Sequence, residues 1–367
     1  DLPLRIVLRH NEVWGAGCAD APTITIKDPD AFFRRVGQSG MIGFGESYMA
    51  GEWDAHDSET LTAALAILAA NIDGLIPPVL HGLRRFALQK MPVEARGWRQ
   101  ASKDNVAAHY DLSNDMFAAF LDPTMTYSAG LFENAPQALW PDLPFAQHAK
   151  IDRLLDRTGV GAGTRLLEIG TGWGELAIRA AHRGAHVTTL TLSEEQAGLA
   201  ARRIEAAGMA DRVEVRLQDY RDADGCYDAI VSVEMIEAVG YRGWPTYFMA
   251  LDRMLAPGGK IGIQAITMPD HRMEATRNTH GWIHKYIFPG GLLPSVEAIE
   301  RTVQHHTDLH VCERFSFGEH YAATLRLWRE RFEACWGEMN RLGFDDTFRR
   351  MWLLYLCYTR AGFEAGY

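Results

Sequence analysis

The spacing of apolar positions along the chain changes character twice. Residues 1 to about 55 alternate apolar and polar positions around turn residues, as in Leu4-Arg5-Ile6-Val7-Leu8 and Thr23-Ile24-Thr25-Ile26, which predicts short strands. Gly43-Phe44-Gly45-Glu46-Ser47-Tyr48-Met49-Ala50-Gly51-Glu52-Trp53 reads as a glycine-spaced aromatic turn. Ser58 to Ala70 is rich in alanine and leucine, and with Asp57 or Ser58 as N-cap it predicts a buried helix. Leu80 to Lys90 carries Leu83, Phe86 and Ala87 on one side and Arg84, Arg85 and Lys90 on another. That pattern suits an anionic lipid surface, and equally an ordinary surface helix. Residues 91 to about 104 are polar with a proline and a glycine, and mark a linker.

From His109 the pattern changes. A helix follows His109-Tyr110-Asp111-Leu112-Ser113-Asn114-Asp115, and then comes an irregular segment, Leu121 to Ser128. Leu166-Leu167-Glu168-Ile169-Gly170-Thr171-Gly172-Trp173-Gly174 is a short apolar strand entering a glycine turn. Strands are predicted over Ala185–Leu192, Arg212–Leu217, Tyr227–Val233 and Lys260–Thr267, with helices between them such as Glu194–Ala207. Such alternation implies an α/β, Rossmann-like parallel sheet covered on both faces, with ligands at the carboxyl ends of the strands. The C-terminal stretch is helical and aromatic, with Trp328, Phe332, Trp336, Trp352, Tyr355 and Tyr358. Two domains are expected, 1–95 and 105–367.

Composition narrows the function classes. The 367 residues, 47% hydrophobic and 23% charged, describe a globular protein with a large core. A formal net charge of −10 opposes nucleic-acid binding, which needs a basic face. No run reaches the ~20 apolar residues of a spanning helix. Cys18, Cys226, Cys312, Cys335 and Cys357 show no CxxC pair, and are expected to be reduced, mostly buried thiols of a cytoplasmic protein. The histidines show no metal-ligand spacing, so no metal is expected. The start at Asp1 and the helical pattern at Tyr367 read as trimmed ends.

Glycines at 170, 172 and 174 suit positive φ and close approach of a ligand to the backbone. Their spacing is not the G-x-G-x-x-G of dinucleotide folds. Closed by Trp173, the turn would crowd a pyrophosphate but accept a smaller carboxylate, such as that of S-adenosylmethionine.

Further segments extend this signal. They are His109-Tyr110-Asp111 with Asp122 to Ser128, Leu217 to Asp222, Val233-Glu234-Met235-Ile236-Glu237-Ala238-Val239-Gly240, Lys285 to Ser295, and Tyr321 to Trp328. With them, the chain resembles the cyclopropane fatty acid synthase family of S-adenosylmethionine-dependent methyltransferases from about residue 40 to the end. The resemblance implies a class I methyltransferase sheet with helical insertions, preceded by a smaller, membrane-associated α+β domain. It implies a cofactor site of Tyr127, Ser128, Glu168, Gly170, Gly172, Trp173, Gly174, Thr191, Gln196, Gln218, Asp219 and Tyr220. It implies unsaturated phospholipid acyl chains as substrate, at the inner face of the membrane, and a homo-oligomer.

In this family the implied base is a bound bicarbonate held by a Cys, a Glu, a His, a backbone carbonyl and a Tyr. Here Glu237, Tyr321 and the Ile266 carbonyl match, but Ala129 replaces the Cys and Gln264 the His. Ala238 also stands where a His commonly follows the Glu. Bicarbonate binding is therefore in doubt, and a protein carboxylate, Glu133 or Glu237, is expected to take its place, with Glu234 orienting the loop. Gln264, Tyr321 and Tyr110 complete the candidate catalytic set. A displaced base favours a methylene-branched product, as in the tuberculostearic acid branch, over a cyclopropane. Two other readings remain open: a nicotinamide oxidoreductase, opposed by the glycine spacing and by Thr191 at the ribose-binding position, and a non-catalytic lipid-binding protein on the same scaffold.

Overall fold

The computed structural model describes residues 2–8, 12–71, the backbone of 89–90, and 113–367. The basic segment 80–90, the linker 91–104 and the His109-Tyr110-Asp111 motif lie wholly or largely outside these residues. In chain order the principal elements are β1 (Arg5–Val7), β2 (Val13–Trp14), β3 (Thr23–Ile26), α1 (Pro29–Met49), β4 (Trp53–Ala55), α2 (Ser58–Ala70), α3 (Asn114–Phe120) and α4 (Leu143–Thr158). They continue with β5 (Arg165–Ile169), α5 (Glu175–His182), β6 (His186–Thr191), α6 (Glu194–Ala206), β7 (Val213–Leu217), β8 (Tyr227–Val233), α7 (Trp244–Met254) and β9 (Leu255–Gln264). Helices α8 (Val296–His306), α9 (Gly318–Ala334) and α10 (Asp346–Glu364) complete the set.

The chain divides into two units. The first comprises Asp1–Met91, Asn278–Ile287 and Gly318–Tyr367, and the second Pro92–Arg277 with Phe288–Phe317. The expected domains, 1–95 and 105–367, place the C-terminal helices with the sheet. They join the N-terminal residues because α10 packs on α2 and α9, and because Glu59 accepts from both Arg329 (2.6 Å) and Arg360 (2.9 Å).

In the first unit a mixed sheet runs in the order β2-β1-β3-β4, with β1 and β3 parallel. Asp57 caps α2 by accepting from the Thr60 N–H at 2.7 Å. The expected turn at 43–53 is largely the end of α1, kinked at Gly40. Its glycines allow close packing: a Cβ on Gly45 would fall 2.3 Å from Trp282 Cδ1. Trp53 is fully buried, and its Nε1 donates to Ser47 Oγ (2.9 Å) and to the Phe44 carbonyl (3.1 Å). Trp53→Ala is expected to cost about 3–5 kcal/mol, read as a fall in the denaturant midpoint.

The second unit holds the expected parallel sheet, in the order β9-β8-β5-β6-β7. β5 is central and buried on both faces, so Leu166 and Leu167 point into different layers. Ile151, Leu155, Leu176, Ala200 and Ile204 from α4, α5 and α6 cover one face. Trp244, Tyr247, Leu251, Ala298 and Val303 from α7 and α8 cover the other. Among the described residues no helix is long and apolar enough to cross a membrane. Cys335 and Cys357 are buried, whereas Cys18, Cys226 and Cys312 are exposed, contrary to the mostly buried set expected.

Candidate active site

The site lies in the second unit, where β5, β6, β7 and β8 end. Gly170, Gly172 and Gly174 have φ of +98°, +50° and +92°, the left-handed turn their spacing predicts. A Cβ on Gly172 would meet nothing within 4 Å, so this side of the turn is open to a ligand. The N–H groups of Gly170 and Thr171 both donate to the Leu190 carbonyl, which ties the turn to β6. Beneath it Glu168 is buried, and its Oε2 accepts from Thr189 Oγ1 at 2.7 Å. Burial pushes the Glu168 carboxyl up to about 8.

The Trp173 indole is fixed by donation to Asn114 Oδ1 (2.7 Å), with its ring 4.9 Å from Phe117. Tyr127 lies edge-on to the same Phe117 at 5.2 Å. At the end of β6, Thr191 Oγ1 donates to Gln196 Oε1 (2.9 Å), and Ser193 caps α6. The Gln218 N–H donates to the Thr191 carbonyl at 3.0 Å. Asp219 is held by the Arg221 guanidinium, and Tyr220 lies edge-on to Tyr247 at 5.5 Å. An open glycine turn, an acid two residues past β7 and an aromatic cluster fit an amino acid and a nucleoside joined through sulfur.

The loop from Asp122 to Gly130 is anchored to α4. Gln147 Nε2 donates to the Ser128 carbonyl (2.8 Å), and Lys150 Nζ to Ser128 Oγ (2.5 Å). Lys150 is buried, and burial pushes its ammonium down to about 8 against the opposing charges of Glu234, Asp122 and Glu168. The sequence reading missed Lys150 and Gln147. Their signal is two polar residues one turn apart on a helix face otherwise made of Leu143, Ala146, Ile151 and Leu155.

Two carboxylates stand past the end of β8. Glu234 Oε1 accepts from the Ala129 N–H (3.0 Å) and from Gln264 Nε2 (2.8 Å). Glu237 Oε1 accepts from the Ile266 N–H at 2.5 Å, while its Oε2 is buried without a hydrogen-bond partner among the described residues. Burial, with the Glu234 charge adding to it, pushes the Glu237 carboxyl up to about 8. The donors at 129 and 264 that would face a bicarbonate are thus directed at Glu234, and Ala129 has no polar side chain to offer. These residues do not fit that ion.

Three further candidates stand elsewhere in the chain. Glu133 is exposed on the loop four residues beyond Ala129. Tyr321 belongs to the first unit, where it is buried with its ring 4.7 Å from Phe363. Tyr110 lies outside the described residues. Among those residues no cluster of His, Cys, Asp and Glu could hold a metal.

Comparison with known proteins shows the family. Residues 98–367 match the family model described as mycolic acid cyclopropane synthetase. The tuberculostearic acid methyltransferase UfaA1 of Mycobacterium tuberculosis is 55% identical over 369 residues, covering 100% of this chain and 86% of that one. The cyclopropane-fatty-acyl-phospholipid synthase of Escherichia coli is 36% identical over 349 residues, covering 93% of this chain and 84% of the relative. The structure of the mycolic acid cyclopropane synthase CmaA1, solved with S-adenosylhomocysteine, superposes with a TM-score of 0.65 at 32% identity, over 72% of this chain and 94% of that one. With its glycine turn, parallel sheet and long matched region, this chain belongs to the mycolic acid cyclopropane synthetase family of S-adenosylmethionine-dependent methyltransferases.

Proposed function

We propose that this protein methylates the double bond of unsaturated fatty acyl chains in membrane phospholipids, giving a methylene-branched chain. The observation that carries this reading is Glu237 Oε2, a buried carboxylate oxygen past the end of β8 with no hydrogen-bond partner among the described residues. Such an atom is costly to bury unless something is brought to it.

S-adenosylmethionine, when bound, supplies an electrophilic methyl group, and the residues of the cofactor site given above would hold it. An alkene is a weak nucleophile that no base can activate, so the protein's contribution is alignment and exclusion of water. Partly exposed Tyr127, held edge-on by Phe117, supplies an aromatic face, which favours a nearby cation and cannot quench it. Once the acyl chain carries the methyl group and a positive charge, a hydride shift moves the charge to the methylated carbon. Glu237 Oε2 then takes a proton from the new methyl group; the C–H pair becomes the exocyclic double bond and neutralises the charge.

The pH dependence follows from the two groups near 8. Below about 8 the Glu237 carboxyl keeps its proton and accepts no other, so kcat/KM for the lipid rises with pH up to that value. Above about 8 Lys150 loses its charge, so the rate falls again. A profile flat from pH 6 to 9, against about one decade per unit on a single-group limb, would contradict this assignment.

The membrane inner face is the proposed working place, as an oligomer of identical chains in the cytoplasm. Exposed Trp14 and Phe33, with rings 6.1 Å apart, support contact with a lipid interface. Incubation with S-adenosylmethionine and vesicles of oleoyl phospholipid, followed by mass spectrometry of the acyl chains, tests the product. A methylene-branched chain is expected; cyclopropane alone overturns the branched assignment and favours the activity named for the Escherichia coli relative.

A further inference from the structure

Glu234 has φ of +51°, in the left-handed region that a glutamate rarely adopts. Its surroundings hold it there. The Glu234 N–H donates to the Gln264 carbonyl at 2.7 Å, so backbone and side chain of the two residues are joined in both directions. Glu234 Oε1 receives the Ala129 N–H and the Gln264 amide, and Gln264 Nε2 also lies 3.4 Å from the Ala129 carbonyl. The two positions at which the family resemblance calls for side-chain ligands to an anion therefore direct their donors at a carboxylate from this chain.

The charged groups around it are consistent with an anion. Lys150 supplies the nearby positive charge, shared with Asp122 and Glu168. On the other side stands Glu237, whose proton is held partly by the Glu234 charge. We propose that Glu234 is a resident anion: its carboxylate takes the place of a bound bicarbonate, so that methyl transfer by this protein needs none. The proposal rests on the function given above. A tethered carboxylate requires no binding step, and the left-handed backbone is what aims it. It fills the anion's position and organises Ala129, Gln264 and Glu237, whereas the part of base falls to Glu237; Glu234 does not touch the reacting atoms, and so is a positioning residue.

The test uses the whole protein, S-adenosylmethionine and oleoyl phospholipid vesicles, in buffer stripped of carbon dioxide and with bicarbonate or formate restored. Glu234→Gly is the informative variant, because glycine takes this backbone conformation without strain and leaves room for a small anion. The wild-type rate is expected to be the same in both buffers. Glu234→Gly is expected to be about a hundredfold slower in stripped buffer, the scale of a misplaced catalytic group, and to recover about tenfold or more with either anion. Formate should raise the melting temperature of this variant and leave that of the wild type unchanged. Glu234→Gln, which keeps the shape and removes the charge, should stay slow in both buffers.

Three results would overturn the proposal: severalfold stimulation of the wild type by bicarbonate, a wild-type rate for Glu234→Gly in stripped buffer, or a folded Glu234→Gly that neither anion affects in rate or melting. A wild type that transfers no methyl group in either buffer speaks instead against the function on which the proposal rests, and the melting comparison still decides the anion site.

Discussion

Glu237→Gln is expected to lower turnover about a thousandfold while leaving affinity for S-adenosylhomocysteine close to that of the wild type. Glutamine keeps the volume, and its oxygen can still accept the Ile266 N–H. What is lost is the basic oxygen, because an amide at the Oε2 position takes up no proton. The unchanged cofactor affinity separates loss of the base from loss of the fold. Glu133→Gln provides the contrast: its side chain is exposed on the loop, and the rate should stay within about twofold of wild type, as for most surface substitutions. Single-turnover methylation with each variant, beside calorimetric titration of S-adenosylhomocysteine, measures both expectations. A fully active Glu237→Gln would remove this carboxyl from the mechanism.

Gly170→Val is expected to abolish measurable cofactor binding. Gly170 has φ of +98°, and a Cβ there would fall 2.6 Å from Met235 Cγ and 2.9 Å from its Sδ. Met235 can give way in part, but the backbone cannot, and a branched residue in this region costs about 1–3 kcal/mol. The turn would relieve that strain by breaking the paired Gly170 and Thr171 bonds to Leu190. Gly208→Val is the control: its φ is +70°, it faces open space, and it lies away from the site. That variant should lose stability and keep its cofactor affinity. Equal affinity losses in the two variants would mean that the turn plays no special part.

The strands and the glycine turn were legible because both are local. Period-2 alternation, β-branched residues and glycines at 170, 172 and 174 each set the backbone over a few residues, and Tyr227–Val233 has the predicted bounds. Elements decided by distant partners were not legible. Residues 43–49 show glycine spacing but finish a helix, because Gly45 exists to admit Trp282, more than two hundred residues away. The C-terminal helices follow the sheet in sequence, yet their arginines pair with Glu59. Glu133 stands close to Ala129 in the chain, but the loop has carried it to the surface by then. Glu234 and Glu237 reach the site through the end of β8, where Glu234 takes a backbone conformation that its residue type does not announce. Lys150 was hidden because a lone lysine beside an apolar helix face reads as snorkelling to solvent, whereas here it is buried against Ser128.

Methyl transfer from trideuteromethyl S-adenosylmethionine into oleoyl vesicles tests the central claim most directly. The purified protein is predicted to place the label on the acyl chain with one deuterium fewer than the donor methyl group, the missing one having passed to the base. An acyl chain that gains no label, or that keeps every deuterium of the donor, would contradict it.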